Sequence, residues 1–82
     1  MKKSKKDDDF SYIFHRYYKY VYCLVENAID HKADIKPCVQ RVFSIAFEQG
    51  LTKNHGKIKL LLTLITIHVV KNQNLMNKKR KL

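Results

Sequence analysis

The chain has no tryptophan, one proline, two glycines and two cysteines, and only seven of its 82 residues are acidic. Each scarcity excludes something. With Gly50 and Gly56 as the only glycines, there is no Gly-rich loop to bring backbone amides up to a phosphate, and no nucleophile elbow. Three of the seven acids are the consecutive Asp7–Asp9, and no paired carboxylates are placed for acid–base chemistry. An active site needs convergent groups in a pocket, so the sequence predicts a binding protein rather than an enzyme, with no cofactor. Cys23 and Cys38 each sit among apolar neighbours and read as buried free thiols in a reducing compartment, the cytoplasm. His15, His31, His55 and His68 show no paired spacing with either cysteine, so no metal site is expected. No apolar segment follows the basic opening "MKKSKKDDDF", which therefore does not read as a signal peptide. The most apolar run, Ile58 to Val70, is interrupted by Lys59 and His68 and falls short of the ~20 residues that cross a bilayer. No membrane partner is expected.

What is present is positive charge and helical periodicity. Seventeen Lys and Arg against seven acids give a net charge of +10, which favours anionic partners. Apolar residues make up 45% of the chain, enough for the core of one small domain. Residues 1–7 read as a basic disordered tail, with Asp7–Asp9 starting a helix by complementing its dipole. Phe10, Ile13, Phe14, Tyr17, Val21, Leu24, Val25 and Ala28 then recur at intervals of three and four, predicting a first helix over 8–29. All five tyrosines lie between Tyr12 and Tyr22; Tyr17 falls on the core face. "DHKAD" at 30–34 breaks the pattern as a turn. Pro37 suits the first turn of a second helix over 36–49, Gly50 suits its C-terminal cap, and 50–56 is a loop.

The third segment, 57–77, is apolar on two sides. Ile58, Leu61, Leu62, Ile65 and Val69 form one stripe, Leu60, Leu64 and Ile67 a second, and Lys59, Thr63 and Thr66 a narrow polar strip. Such a helix is expected in the middle of a bundle with both stripes covered; His68 reads as a packing residue there. Its end, "KNQNLMNKKRKL", turns amide-rich and then basic, either an end offered to an anion or a frayed, solvated terminus, with 78–82 as a basic tail. The predicted fold class is all-α, a small three-helix bundle.

The order of these segments resembles region 2 of bacterial sigma-70 family factors, mainly the extracytoplasmic-function group. "DDDFSYIFHRYYKYVYCLV" is similar to the opening of that region. "DIKPCVQRVFSIAFE" is similar to its next segment, with Val39, Gln40, Val42 and Phe43 matching a Val-Gln-x-Val-Phe core. "LLTLITIHVVKNQNLMNKKRKL" is similar to its last helix, which ends in a basic run. The resemblance spans about residues 8–81. It implies transcription initiation: docking on the β′ clamp helices of core RNA polymerase through Gln40, Arg41 and Ser44, and binding of the single-stranded −10 promoter strand. The DNA surface would be Lys53, Asn54 and His55 of the loop, then Lys71, Asn72 and Asn74, then Lys78, Lys79, Arg80 and Lys81. Asn54, Asn72 and Asn74 would read bases, since amides both donate and accept. A second subunit or domain supplying −35 recognition, or an anti-sigma factor, completes the implied partners. The chain departs from the family pattern at Lys36, Pro37 and Arg41, where acids are usual, has Val70 and Asn74 near the last helix's usual Asn and Asp positions, and lacks that helix's usual tryptophan. Those departures point to the alternative: a small helical protein-interaction or regulatory subunit that keeps the fold and not promoter melting.

Overall fold

The structure, a computed structural model, describes residues 5–52 and 54–80, with side chains over 9–52 and 54–79. It is an all-α, three-helix bundle: α1 (Lys5–Ala28), a single 3-10 turn (Lys32–Asp34), α2 (Ile35–Glu48) and α3 (Ile58–Arg80). α1 and α3 run in the same direction, since Tyr20 meets Thr63 while Ala28 meets Asn74. α2 returns between them.

α2, not α3, is the central helix. Ile35, Cys38, Val39, Val42, Phe43 and Ala46, six of its 14 residues, are buried. It closes as the glycine predicted. Gly50 adopts φ +80°, its N–H donates to the Phe47 carbonyl at 3.0 Å, and the Leu51 N–H donates to the Ala46 carbonyl at 3.1 Å. This paired capping pattern needs a left-handed residue, which glycine supplies without a Cβ penalty. Leu51 and Ala46 are both buried, so the cap also steers the chain back onto the core.

α1 buries Ile13, Val21 and Val25. Tyr17 is only partly buried, no deeper in class than Tyr18, Tyr20 or Tyr22; the aromatic that reaches the core from α2 is Phe43. A run of rings fills the α1–α2 flank. Phe14 packs edge-on to Phe43 at 5.0 Å and against Tyr18 at 5.2 Å, Tyr18 meets Tyr22 at 6.0 Å, and Phe10 meets Phe47 at 4.7 Å. Edge-on and tilted packing sets positive ring edges against negative faces. Much of the tyrosine crowding is therefore structural. Tyr20 serves the other flank. Thr63 spends its hydroxyl proton on the Lys59 carbonyl at 2.8 Å, so in the 2.7 Å Tyr20–Thr63 contact the tyrosine donates.

Other expectations change. α1 is described from Lys5, three residues before the expected start, so Asp7 and Asp8 fall in its first turn and Asp9 just past it. Asp9 turns inward, buried, with Oδ1 unpartnered among the described residues; nothing in the structure explains it. α3 continues through Arg80, taking in the first part of the basic run. Finally, α3 covers one stripe only. Ile58, Leu62, Val69 and Val70 are buried, whereas Leu60, Leu64 and Ile67 are 53%, 54% and 59% exposed. Periodicity shows that a face is apolar; it does not show that the chain has an element to lay over it. Thr66, read as polar strip, is buried and donates to the Leu62 carbonyl at 2.6 Å, a local bond that satisfies its hydroxyl inside the core. No helix among the described residues is long and apolar enough to cross a membrane.

The amide-rich end of α3 holds the bundle together. Asn74 Nδ2 donates to the Ala28 carbonyl at 3.1 Å, and the Asp30 N–H donates to Asn74 Oδ1 at 3.0 Å. One side chain thus caps the end of α1, where carbonyls lack intrahelical partners. Asn77 Nδ2 donates to Asp34 Oδ2 at 2.9 Å, tying the start of α2 to the same end of α3. Asn74→Ala removes both bonds at once. It is expected to lower unfolding free energy by about 1–3 kcal/mol, read as an earlier urea midpoint with unchanged slope.

Candidate nucleic-acid interface

α2 and α3 leave a groove of about 320 Å³ between them. Arg41 and Ile45 come from α2; His68, Asn72, Met76 and Lys79 come from α3. On α3 these fall at i, i+4, i+8 and i+11, one helical stripe. Among the described residues, no aspartate or glutamate lines the groove. Two cations and one imidazole therefore face a common space, with amides from Asn72 and Gln73 and apolar walls from Ile45, Val69 and Met76. Asn72 Nδ2 lies 3.2 Å from His68 Nε2, donating when that ring nitrogen carries no proton. Chemically, the groove can neutralise a phosphate through the cations, offer amide donors and acceptors to a base edge, and pack a sugar or base against the walls.

The structure distributes the sequence-predicted residues unevenly. Asn72 and Lys79, expected on the DNA surface, join Arg41, expected on the polymerase-docking face, in this one groove. Gln40 and Ser44 are exposed, one turn apart on α2, and outside it. Lys78 is exposed; Lys71 lines a different groove, against α1. Asn74, expected to read bases, has its amide committed to the end of α1. Asn54 and His55 are exposed in the loop, where His55 Nδ1 accepts the Lys57 N–H at 2.9 Å. That loop precedes the first turn of α3, roughly 30 Å along the helix from Lys78 and Lys79, so loop and tail do not form one compact patch. The side chain of Arg80, and Lys53 and Lys81 entirely, lie outside the described residues.

The sequence reading missed His68, Gln73 and Met76. His68 is exposed rather than packed. The signal was the stripe from His68 to Lys79, but choosing it required knowing which side of α3 faces α2. The cysteines also divide. Cys38 is buried and free, and Cys23 is free but exposed, against the expectation that both are buried. Burial, then the Asp34 carboxylate, pushes the Cys38 thiol up, outweighing the opposing pull of Arg41; it stays protonated and inert. No group of three metal-ligating side chains occurs among the described residues. Comparison of the chain with protein-family models, with curated proteins and with solved structures returns no match.

Proposed function

We propose that this domain is a sigma-like binding module that engages core RNA polymerase and a single-stranded −10 promoter strand during transcription initiation. The observation that carries the nucleic-acid half is the α2–α3 groove, lined by Arg41, His68, Asn72 and Lys79 with no carboxylate among the described residues, in a chain of net charge +10. Such a surface favours a polyanion. A groove that offers amides and apolar walls beside the cations favours a strand with accessible bases over a closed duplex. The polymerase half rests on the resemblance of "DIKPCVQRVFSIAFE" to the family segment that docks on the β′ clamp helices, and on the exposure of Gln40 and Ser44.

The two halves separate experimentally because Gln40 and Ser44 stand outside the groove. Gln40→Ala with Ser44→Ala, which leaves the charge beside Arg41 unchanged, is expected to weaken capture of core polymerase and of the isolated β′ coiled coil, while single-stranded DNA binding falls by no more than about twofold. Exposed polar contacts are worth only ~0–1 kcal/mol each, so the double change is the useful one. Unchanged capture by a folded double variant contradicts the docking face.

The alternative, a small helical protein-interaction or regulatory subunit, is favoured by one observation: the uncovered Leu60–Leu64–Ile67 stripe. Polymerase-independent protein binding without any affinity for DNA selects that reading.

A further inference from the structure

On the opposite flank, α1 and α3 enclose a second groove of about 410 Å³. Its walls are Leu24 and Ala28 from α1 and Ile67 and Val70 from α3, with Lys71 and Asn74 at one end. Ile67 belongs at the same time to the exposed stripe with Leu60 and Leu64. Positions i, i+4 and i+7 put the three on one line along α3. Groove and stripe meet at Ile67 and together form a largely apolar surface, interrupted by Thr63 and Thr66, that nothing among the described residues covers.

We propose that this surface docks an acidic amphipathic helix of another protein. The seam between two helices running side by side is where a further helix completes a bundle, and an i, i+4, i+7 line of large side chains is the complement of such a helix's apolar face. Charge selects the sign. α3 contains no aspartate or glutamate from Ile58 to Arg80. Lys59, held 4.8 Å from the Tyr20 ring centroid, and Lys71 mark the two ends of the surface. On α1, Glu26 stands two residues from Leu24 and so projects from the opposite side of the helix; past the helix end, Asp30 meets Asn74 through its backbone N–H and is, among the described residues, the one acidic residue beside that end of the groove, against Lys59 and Lys71 on α3. The flanks of an incoming helix therefore meet lysines.

The same charges argue against a second copy of this chain, which would set lysines of one α3 against those of the other in a protein of net charge +10. A lipid surface is the poorer fit as well, since a planar interface leaves the concave floor formed by Leu24, Ala28 and Val70 unfilled.

The test uses isotope-labelled full chain and two synthetic amphipathic peptides sharing one leucine stripe, one with glutamate and one with lysine at every polar position. The glutamate peptide is expected to shift the resonances of Leu24, Ala28, Leu64, Ile67 and Val70, and the lysine peptide to shift none. Ile67→Glu should weaken the glutamate peptide by about tenfold or more. At 59% exposure the site tolerates the change, and circular dichroism confirms folding. Ile67→Val should bind like the parent. Equal binding of both peptides, shifts centred on Arg41 and Ile45, or no shift at the highest soluble peptide concentration overturns the proposal. So does stronger binding to phosphatidylserine vesicles than to the peptide, or self-association that Ile67→Glu abolishes. Apart from shifts centred on Arg41 and Ile45, which would put the peptide in the α2–α3 groove, these outcomes do not bear on the proposed DNA binding, which uses the other flank.

Discussion

Phe43→Ala is expected to leave the domain largely unfolded at room temperature, or folded with a much lower melting midpoint. Phe43 is 2% exposed at the centre of α2 and meets the Phe14 ring edge-on at 5.0 Å. Truncating a buried phenylalanine removes its transfer free energy and leaves a cavity that a close-packed core only partly fills, at a cost of about 3–5 kcal/mol. A domain of this size holds roughly 4–12 kcal/mol in total, so the loss is a large share of it. Leu64→Ala gives the contrast. Leucine at 54% exposure should cost under about 0.5 kcal/mol, although its helical spacing from Leu60 looks as core-like as that of any buried pair. Urea titrations of the two variants check both numbers.

Arg41→Glu combined with Lys79→Glu is expected to reduce affinity for a single-stranded −10 oligonucleotide by roughly thirtyfold at low salt. Each reversal replaces an attraction with a repulsion at a surface site, about 1 kcal/mol apiece, and 2 kcal/mol corresponds to about that factor. The variant should stay folded, since both side chains are exposed. Changing Lys71 and Lys78 to glutamate should do less, because Lys71 opens onto the α1 flank. Fluorescence anisotropy with a labelled oligonucleotide reads the difference.

Those two results depend on features that differ in how far the sequence reveals them. Helix existence and order were legible because α1 and α2 each carry a single apolar stripe and a clear terminator, Gly50 after α2 above all. The left-handed φ at Gly50 is what a glycine at that spacing predicts. α3 was half legible. Its two apolar stripes are equivalent on a helical wheel, and only the packing of α2 decides that Leu62 is buried and Leu64 is not. Asn74 and Asn77 show the other limit. An amide near a basic run looks like a nucleic-acid contact, yet Asn74 caps α1 from 46 positions away and Asn77 holds Asp34 from 43 away. No local pattern encodes a bond of that separation. The groove is of the same kind: Arg41 and Lys79 were each visible as exposed cations, but their meeting across α2 and α3 is a property of the packed bundle.

The most direct measurement of the nucleic-acid reading is a salt-series titration of the folded domain with labelled single-stranded and duplex −10 oligonucleotides, beside the Arg41→Glu/Lys79→Glu variant. Each phosphate neutralised on a single strand contributes about −0.7 to the slope of log affinity against log salt. The account predicts tighter binding to the single strand than to the duplex, a clearly negative slope for the parent, and a slope shallower by about 1.4 or more for the variant. Affinity independent of salt, or binding of parent and variant that cannot be told apart, contradicts it.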